Sequence, residues 1–281
     1  ETRGGKWLNY FPTKNMSLTI NKDNILQNEV VNPKDTNKIV DKMAWKMKRN
    51  NLLKNDIYML DIIAKNAADG WKRPVYFAVS INPDSFLGLE KYFQLEGLTY
   101  RLVPIESGGT NLYTGRINTD EMYQNLMNEF TFGNIEKPSI AVSETIRRMA
   151  TNLRSNYSRL AIQLIEEGQK EKAVQVLDKG LAYLTNEKIP FDFFNVFAVE
   201  AYFNADEPEK ALAVADIIAE NLLQDMDYVN SLPKNMKGAY KRDSDIAEAG
   251  IGELMRLAVE NKQEDWIDEM QSRYEKLSAR N

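Results

Sequence analysis

At 281 residues the chain exceeds the usual size of one domain and suits one large domain or two modest ones. Its 36 Lys and Arg against 41 Asp and Glu give a formal charge of −5, which argues against the broad basic face that nucleic-acid binding needs. The absence of His and Cys removes Ser-His-Asp and Cys-His nucleophiles, Cys or His zinc sites, haem attachment and iron–sulfur ligation. No Asp/Asn/Gly loop has calcium-binding spacing, so neither a metal nor a cofactor is expected. No stretch approaches the ~18–20 apolar residues that span a bilayer. The start, from Glu1 to Lys6, has no methionine and no apolar signal core. It fits a mature secreted protein or a domain cut from a longer polypeptide.

Residues 7–35 mix short alternating stretches with Asn, Asp, Lys and Pro and predict a strand or two among loops. From Thr36, the residues Ile39, Val40, Met43, Ala44 and Met47 recur at helical spacing. Lys42, Lys46, Lys48, Arg49 and Lys54 form a basic cluster around them, either a solvated face or a membrane-proximal patch for anionic lipid headgroups. Asn55 and Asp56 open a helix with Ile57, Leu60, Ile63, Ala64 and Ala67 as its buried stripe and Gly70 as its stop. Residues 73–81 are too apolar and β-branched for a surface segment and predict a buried strand begun by Pro74. A short helix over 86–93 and a second strand over 98–103, closed by Pro104, follow. This order implies a small parallel or mixed sheet with covering helices. The loop Ser107-Gly108-Gly109-Thr110 lacks the phosphate-loop pattern. Thr119 is expected to cap a helix holding Met122, Leu126, Met127 and Phe130, and after Gly133 and Pro138 the chain turns helical for good.

Two segments of the second half resemble each other. Tyr157, Leu160, Ala161, Leu164, Gly168, Ala173, Leu177 and Gly180 occupy the positions of a tetratricopeptide repeat. Ala198, Val199, Tyr202, Ala211, Leu212 and Ala215 align on them at an offset of 38 residues, with Asp206-Glu207-Pro208 in place of the turn glycine. The insertion at 187–191, around Pro190, absorbs the excess over a standard period. A third pair, with Ile246, Ala247, Gly250, Leu254 and Leu257 facing Trp266, Met270, Tyr274 and Leu277, reads as a capping hairpin. A long helix over 143–167 leads into the array. The fold class expected is therefore an α+β or α/β region with a small mixed or parallel sheet over 1–135, then an all-α tetratricopeptide-like array of helical hairpins over 136–281.

At Trp71-Lys72-Arg73-Pro74-Val75-Tyr76-Phe77-Ala78 and in the run from Gly88 to Pro104, with Leu53-Lys54-Asn55-Asp56 and Leu60 to Ala64 upstream, the chain resembles the soluble C-terminal region of a bacterial multi-pass membrane protein family of unknown function, described as protein O-mannosyltransferase-like. The resemblance runs from about 36 to 230 and is most specific over 53–104. It implies a polytopic, glycosyltransferase-like half bearing any catalytic acid, outside this chain. No catalytic residue is carried over. It also implies the periplasmic face of the inner membrane as location, tethering through upstream transmembrane helices, and the membrane half of its own polypeptide, an acceptor protein or a glycan as partners.

Three functions remain in view: an accessory domain of such an enzyme, a free-standing secreted or lipid-anchored adaptor, and an independent hydrolase using two of Asp84, Glu90, Glu96, Asp120 and Glu121. Nothing in the spacing singles out a pair of these carboxylates. Arg73, Tyr76, Tyr100 and Arg101 are the candidate ligand or partner contacts, with edge-of-core packing as the alternative. Phe191, Phe193, Phe194 and Phe197 form an aromatic patch that reads as inter-repeat packing or a docking groove.

Overall fold

The computed structural model describes residues 2–3 and 6–7, and then 13–107, 114–137 and 139–278. Gly108, Gly109, Thr110 and Pro138 lie outside these residues. The chain forms two compact units, 1–118 and 119–281. The sequence reading ends the first domain at 135, whereas 119–135 pack with the helices that follow.

The first unit opens with two-residue strands β1 (Thr2–Arg3) and β2 (Lys6–Trp7), paired antiparallel. Strand β3 (Asn15–Thr19) leads through helix α1 (Lys22–Gln27), capped by the Asn21 side chain, and a 3₁₀ helix at Pro33–Lys38 to strand β4 (Lys42–Lys46). Strands β3 and β4 form an antiparallel ladder. The helix expected from Thr36 is therefore a strand. Met43 and Trp45 are buried while Lys42, Ala44 and Lys46 are exposed, a period of two. The spacing of Ile39, Met43 and Met47 by four satisfies both periods, and the lysines between them decide for the strand. Tyr92 secures the outer edge of β4: its hydroxyl accepts from Ala44 N–H at 2.8 Å and lies 3.1 Å from the Ala44 carbonyl.

Helix α2 (Lys54–Ala68) starts where Asp56 accepts the Leu53 N–H, and it ends before Gly70 in a left-handed conformation. Of its expected stripe only Ile63 is fully buried, and Ile57 is exposed. Next come β5 (Tyr76–Ala78), β6 (Phe93–Leu95), β7 (Thr99–Leu102) and β8 (Arg116–Ile117) in the order β5-β7-β6-β8, antiparallel except for the β6–β8 pair. The mixed sheet is as expected. Its buried inner strand, however, is β6, not the 73–81 segment, which supplies only the three-residue edge β5 with Phe77 inward. The helix expected over 86–93 is replaced by 3₁₀ turns, because Leu87 and Gly88 both take positive φ and end any helix there. Phe77, Phe86, Phe93 and Tyr100 pack as an aromatic cluster on one sheet face.

The second unit begins with α3 (Thr119–Gln124) and a π turn at Asn125–Glu129. The Thr119 hydroxyl, instead of capping α3, donates to the Glu167 carboxylate. Ser143 caps α4 (Glu144–Glu166), which pairs with α5 (Lys170–Tyr183); then come α6 (Val196–Asn204), α7 (Pro208–Ser231), the one-turn α8 (Lys234–Lys237), α9 (Lys241–Glu260) and α10 (Glu264–Ser278). The α4–α5, α6–α7 and α9–α10 hairpins share one turn. Gly168, Asp206 and Lys262 take positive φ, and the next N–H, of Gln169, Glu207 or Gln263, bonds back to Leu164, Tyr202 or Ala258. This six-to-one bond satisfies a carbonyl the helix end leaves open. Gly180 brings α5 against α4 so closely that a Cβ there would lie 2.7 Å from the Tyr157 ring.

Candidate functional site

The register of the mixed sheet sets Tyr76, Arg101, Gln94 and Arg116 in one row across all four strands. Alternation puts Glu96 on the same face, two residues beyond Gln94. Tyr76 OH donates to Glu96 Oε2 at 3.1 Å, and Gln94 Nε2 donates to Glu96 Oε1 at 2.8 Å. Arg116 reaches Gln94 Oε1 at 3.1 Å and Asp35 Oδ2 at 2.6 Å, and Lys38 takes the other Asp35 oxygen at 2.7 Å. The result is one continuous polar chain from Tyr76 to Lys38. Glu96 is only 4% exposed and Asp35 only 3%. Burial works against the Asp35 charge, but hydrogen bonds from Lys38 and Arg116 outweigh it and hold the carboxyl below its usual range. Both carboxylates are thus occupied by donors of the protein itself. The arrangement links the strands of the sheet through side-chain hydrogen bonds on this face.

Of the four candidate contacts, the structure brings Tyr76 and Arg101 together. Arg101 Nη1 stands 3.8 Å from Glu96, and its Nη2 donates to the Glu29 carbonyl at 3.3 Å. Tyr100 lies on the opposite face, stacked on Phe93 at 5.4 Å. Arg73 precedes the sheet and is exposed. Tyr76, 46% exposed, is the open end of the network. The basic cluster is divided between elements. Lys42 and Lys46 stand on the exposed face of β4, Lys48 pairs with Glu90 at 2.8 Å, Arg49 with Asp56 at 3.2 Å, and Lys54 begins α2. Among the carboxylates weighed for hydrolysis, Asp84, Glu90 and Glu96 belong to the first unit, Asp120 and Glu121 to the second. Among the described residues no group of three or more acidic side chains could hold a metal ion.

Sequence reasoning passes over the deepest polar residue of the second unit. Arg154 is 1% exposed on the buried face of α4. It donates to the carbonyls of Leu184, Ile189 and Pro190 and to Asn195 Oδ1, at 2.7–3.0 Å, with its guanidinium 4.5 Å from the Phe191 ring centre. Burial lowers its pKa to about 10, which leaves it cationic at neutral pH. Its signal in the sequence is an arginine within the apolar series Ala150, Leu153, Tyr157. The aromatic patch is split accordingly: Phe191 is buried under Arg154, while Phe194 is 53% exposed.

These features define a mixed-sheet module with an internally hydrogen-bonded polar face, followed along the chain by a set of helical hairpins. Residues 1–121 match the family model described as TMEM260-associated domain 2, a span that contains the whole of 53–104. No curated protein and no solved structure matches the chain. No helix among the described residues is long and apolar enough to cross a membrane.

Proposed function

We propose that this chain is a non-catalytic accessory module of a membrane-embedded, glycosyltransferase-like protein, held at the periplasmic face and positioning an acceptor or partner protein. The observation that carries this reading is the match of residues 1–121 to a TMEM260-associated domain. Two further features support it. The buried carboxylates Asp35 and Glu96 of the first unit accept hydrogen bonds from the protein's own side chains, as structural groups do. Hairpins of the kind seen over 144–278 commonly present extended surfaces to partners. The membrane half of the same polypeptide is the first partner to expect.

The test is fractionation of source cells with an antibody against this domain. A band far heavier than 32.3 kDa, retained in carbonate-washed membranes and cleaved by protease added to spheroplasts, is the expected result. A soluble band near the mass of this chain would overturn the reading in favour of a free-standing adaptor.

A further inference from the structure

The β3–β4 ladder has one guarded edge and one open edge. Its closing bonds, Ile20 N–H to the Asp41 carbonyl and Met47 N–H to the Lys14 carbonyl, are both 2.9 Å long. With the register Met16↔Trp45 and Leu18↔Met43, they show that the even-numbered residues of β3 bond to β4. The odd-numbered residues Asn15, Ser17 and Thr19 therefore turn their backbone groups outward. On β4 the corresponding groups of Ala44 meet the Tyr92 hydroxyl. On β3 the Asn15 N–H is taken by Thr13 Oγ1 at 3.1 Å, but among the described residues no hydrogen bond reaches the Ser17 or Thr19 backbone from that side.

The strand carries none of the usual defences of a free edge. Asn15-Met16-Ser17-Leu18-Thr19 contains no charge, no proline and no bulge. Met16 and Leu18 are half-buried on the face of Met43 and Trp45, while Asn15, Ser17 and Thr19 are exposed on the other. The sequence is also complementary to itself. Antiparallel pairing about a two-fold axis at Ser17 sets Asn15 against the second copy's Thr19, and Met16 against its Leu18. The two Ser17 residues then exchange N–H and carbonyl, and each Thr19 N–H reaches an Asn15 carbonyl. Apolar side chains oppose apolar ones on one face, polar oppose polar on the other, and no like charges meet. This register uses the whole length of β3 in both copies.

We infer that β3 is a self-association edge, through which two copies of this chain join their β3–β4 ladders into one continuous antiparallel sheet about a two-fold axis at Ser17. The junction is short, well under the ~1,000 Å² of a stable interface, so the dimer is weak, with a Kd on the order of 0.1–1 mM. Residues 1–118 contain 17 Lys and Arg against 12 Asp and Glu, a formal charge of +5, so two first units also repel each other through solvent. Salt at about 0.15 M, where the Debye length is ~8 Å, screens that repulsion and is the condition for the measurement. The inference does not rest on the function proposed above.

The test is sedimentation equilibrium of the whole 281-residue chain from about 10 μM to about 1 mM. Wild type is compared with Ser17→Lys, with Ser17→Glu and with an equimolar mixture of the two. The Ser17 side chain is exposed and its backbone makes no bond to β4, so both variants should fold, which circular dichroism checks. Concentration-dependent dimerisation of wild type is expected, weakened at least about tenfold in each variant alone by like charges across the axis. The mixture should recover it, because Lys then faces Glu. A wild-type monomer at every concentration overturns the inference and leaves the edge to an extended segment of another protein. A dimer indifferent to both substitutions, or a mixture no better than its components, also overturns it, because the axis then does not pass through Ser17.

Discussion

Arg154 and Asp35 each keep an ionised group inside the protein by surrounding it with partners. Arg154 ties α4 to the connection between α5 and α6 through four hydrogen bonds to three carbonyls and one amide oxygen. Arg154→Leu fills part of the space but strands those acceptors. It should cost about 3–5 kcal/mol, read as a fall in the urea midpoint of unfolding. Arg154→Lys should recover only part of this, since one ammonium cannot reproduce the planar fork. Asp35 carries a pH dependence. Its folded pKa lies below the ordinary 3.8, so its contribution is complete above that value and is lost as pH falls through the lower, folded one. Stability should therefore decline on acidification below about pH 4. In Asp35→Asn the protein should be less stable at neutral pH and have a flatter acid limb. Neither residue was legible as a member of a network. Lys38 is a local partner of Asp35, but Arg116 lies 81 residues away and the partners of Arg154 lie up to 41 away, and only the fold brings these together.

The elements make the same point about what local sequence contains. The hairpin helices were legible because Leu160, Leu164, Ala173 and Leu177 repeat at helical spacing and are buried as expected. Strand β4 was not, because an apolar spacing of four suits both a helix and a strand, and β6 was hidden beside turns set by positive φ at Leu87 and Gly88. The three equivalent turns make a sharper prediction. Gly168 is the usual residue at its left-handed position, but Lys262 pays a steric cost there, so Lys262→Gly should raise stability by roughly 0.5–1 kcal/mol. The two helix-packing glycines should differ. Gly180→Ala drives a methyl into the Tyr157 ring at its root and should cost about 1–3 kcal/mol. Gly250→Ala meets only the tip of Leu222, which can turn aside, and gains helix propensity, so its midpoint should change far less. Thermal unfolding of the two variants side by side checks this.

At the scale of the whole molecule, charge is divided as the fold is. Residues 119–281 hold 19 Lys and Arg against 29 Asp and Glu, a formal charge of −10 that offsets the basic first unit. At low ionic strength and neutral pH the protein should be retained on both cation- and anion-exchange media, and about 0.15 M salt should weaken both interactions as the Debye length falls to ~8 Å. Retention on only one medium would show that the net charge governs instead of its partition. The two-part organisation was legible from the change of hydrophobic period near the middle of the chain. The candidate contacts were less so, because alternation along β7 sends neighbouring Tyr100 and Arg101 to opposite faces.

Strand β8 has a consequence for the order in which the chain assembles. It lies parallel to β6 and more than twenty residues beyond it, and through Arg116 it also reaches Asp35. Until residue 117 has left the ribosome, one edge of β6 has no neighbour and the Asp35 carboxylate lacks the arginine. The helical hairpins close over much shorter loops, so they should form in a faster kinetic phase despite being synthesised last. The first unit is therefore the part that a nascent chain exposes longest.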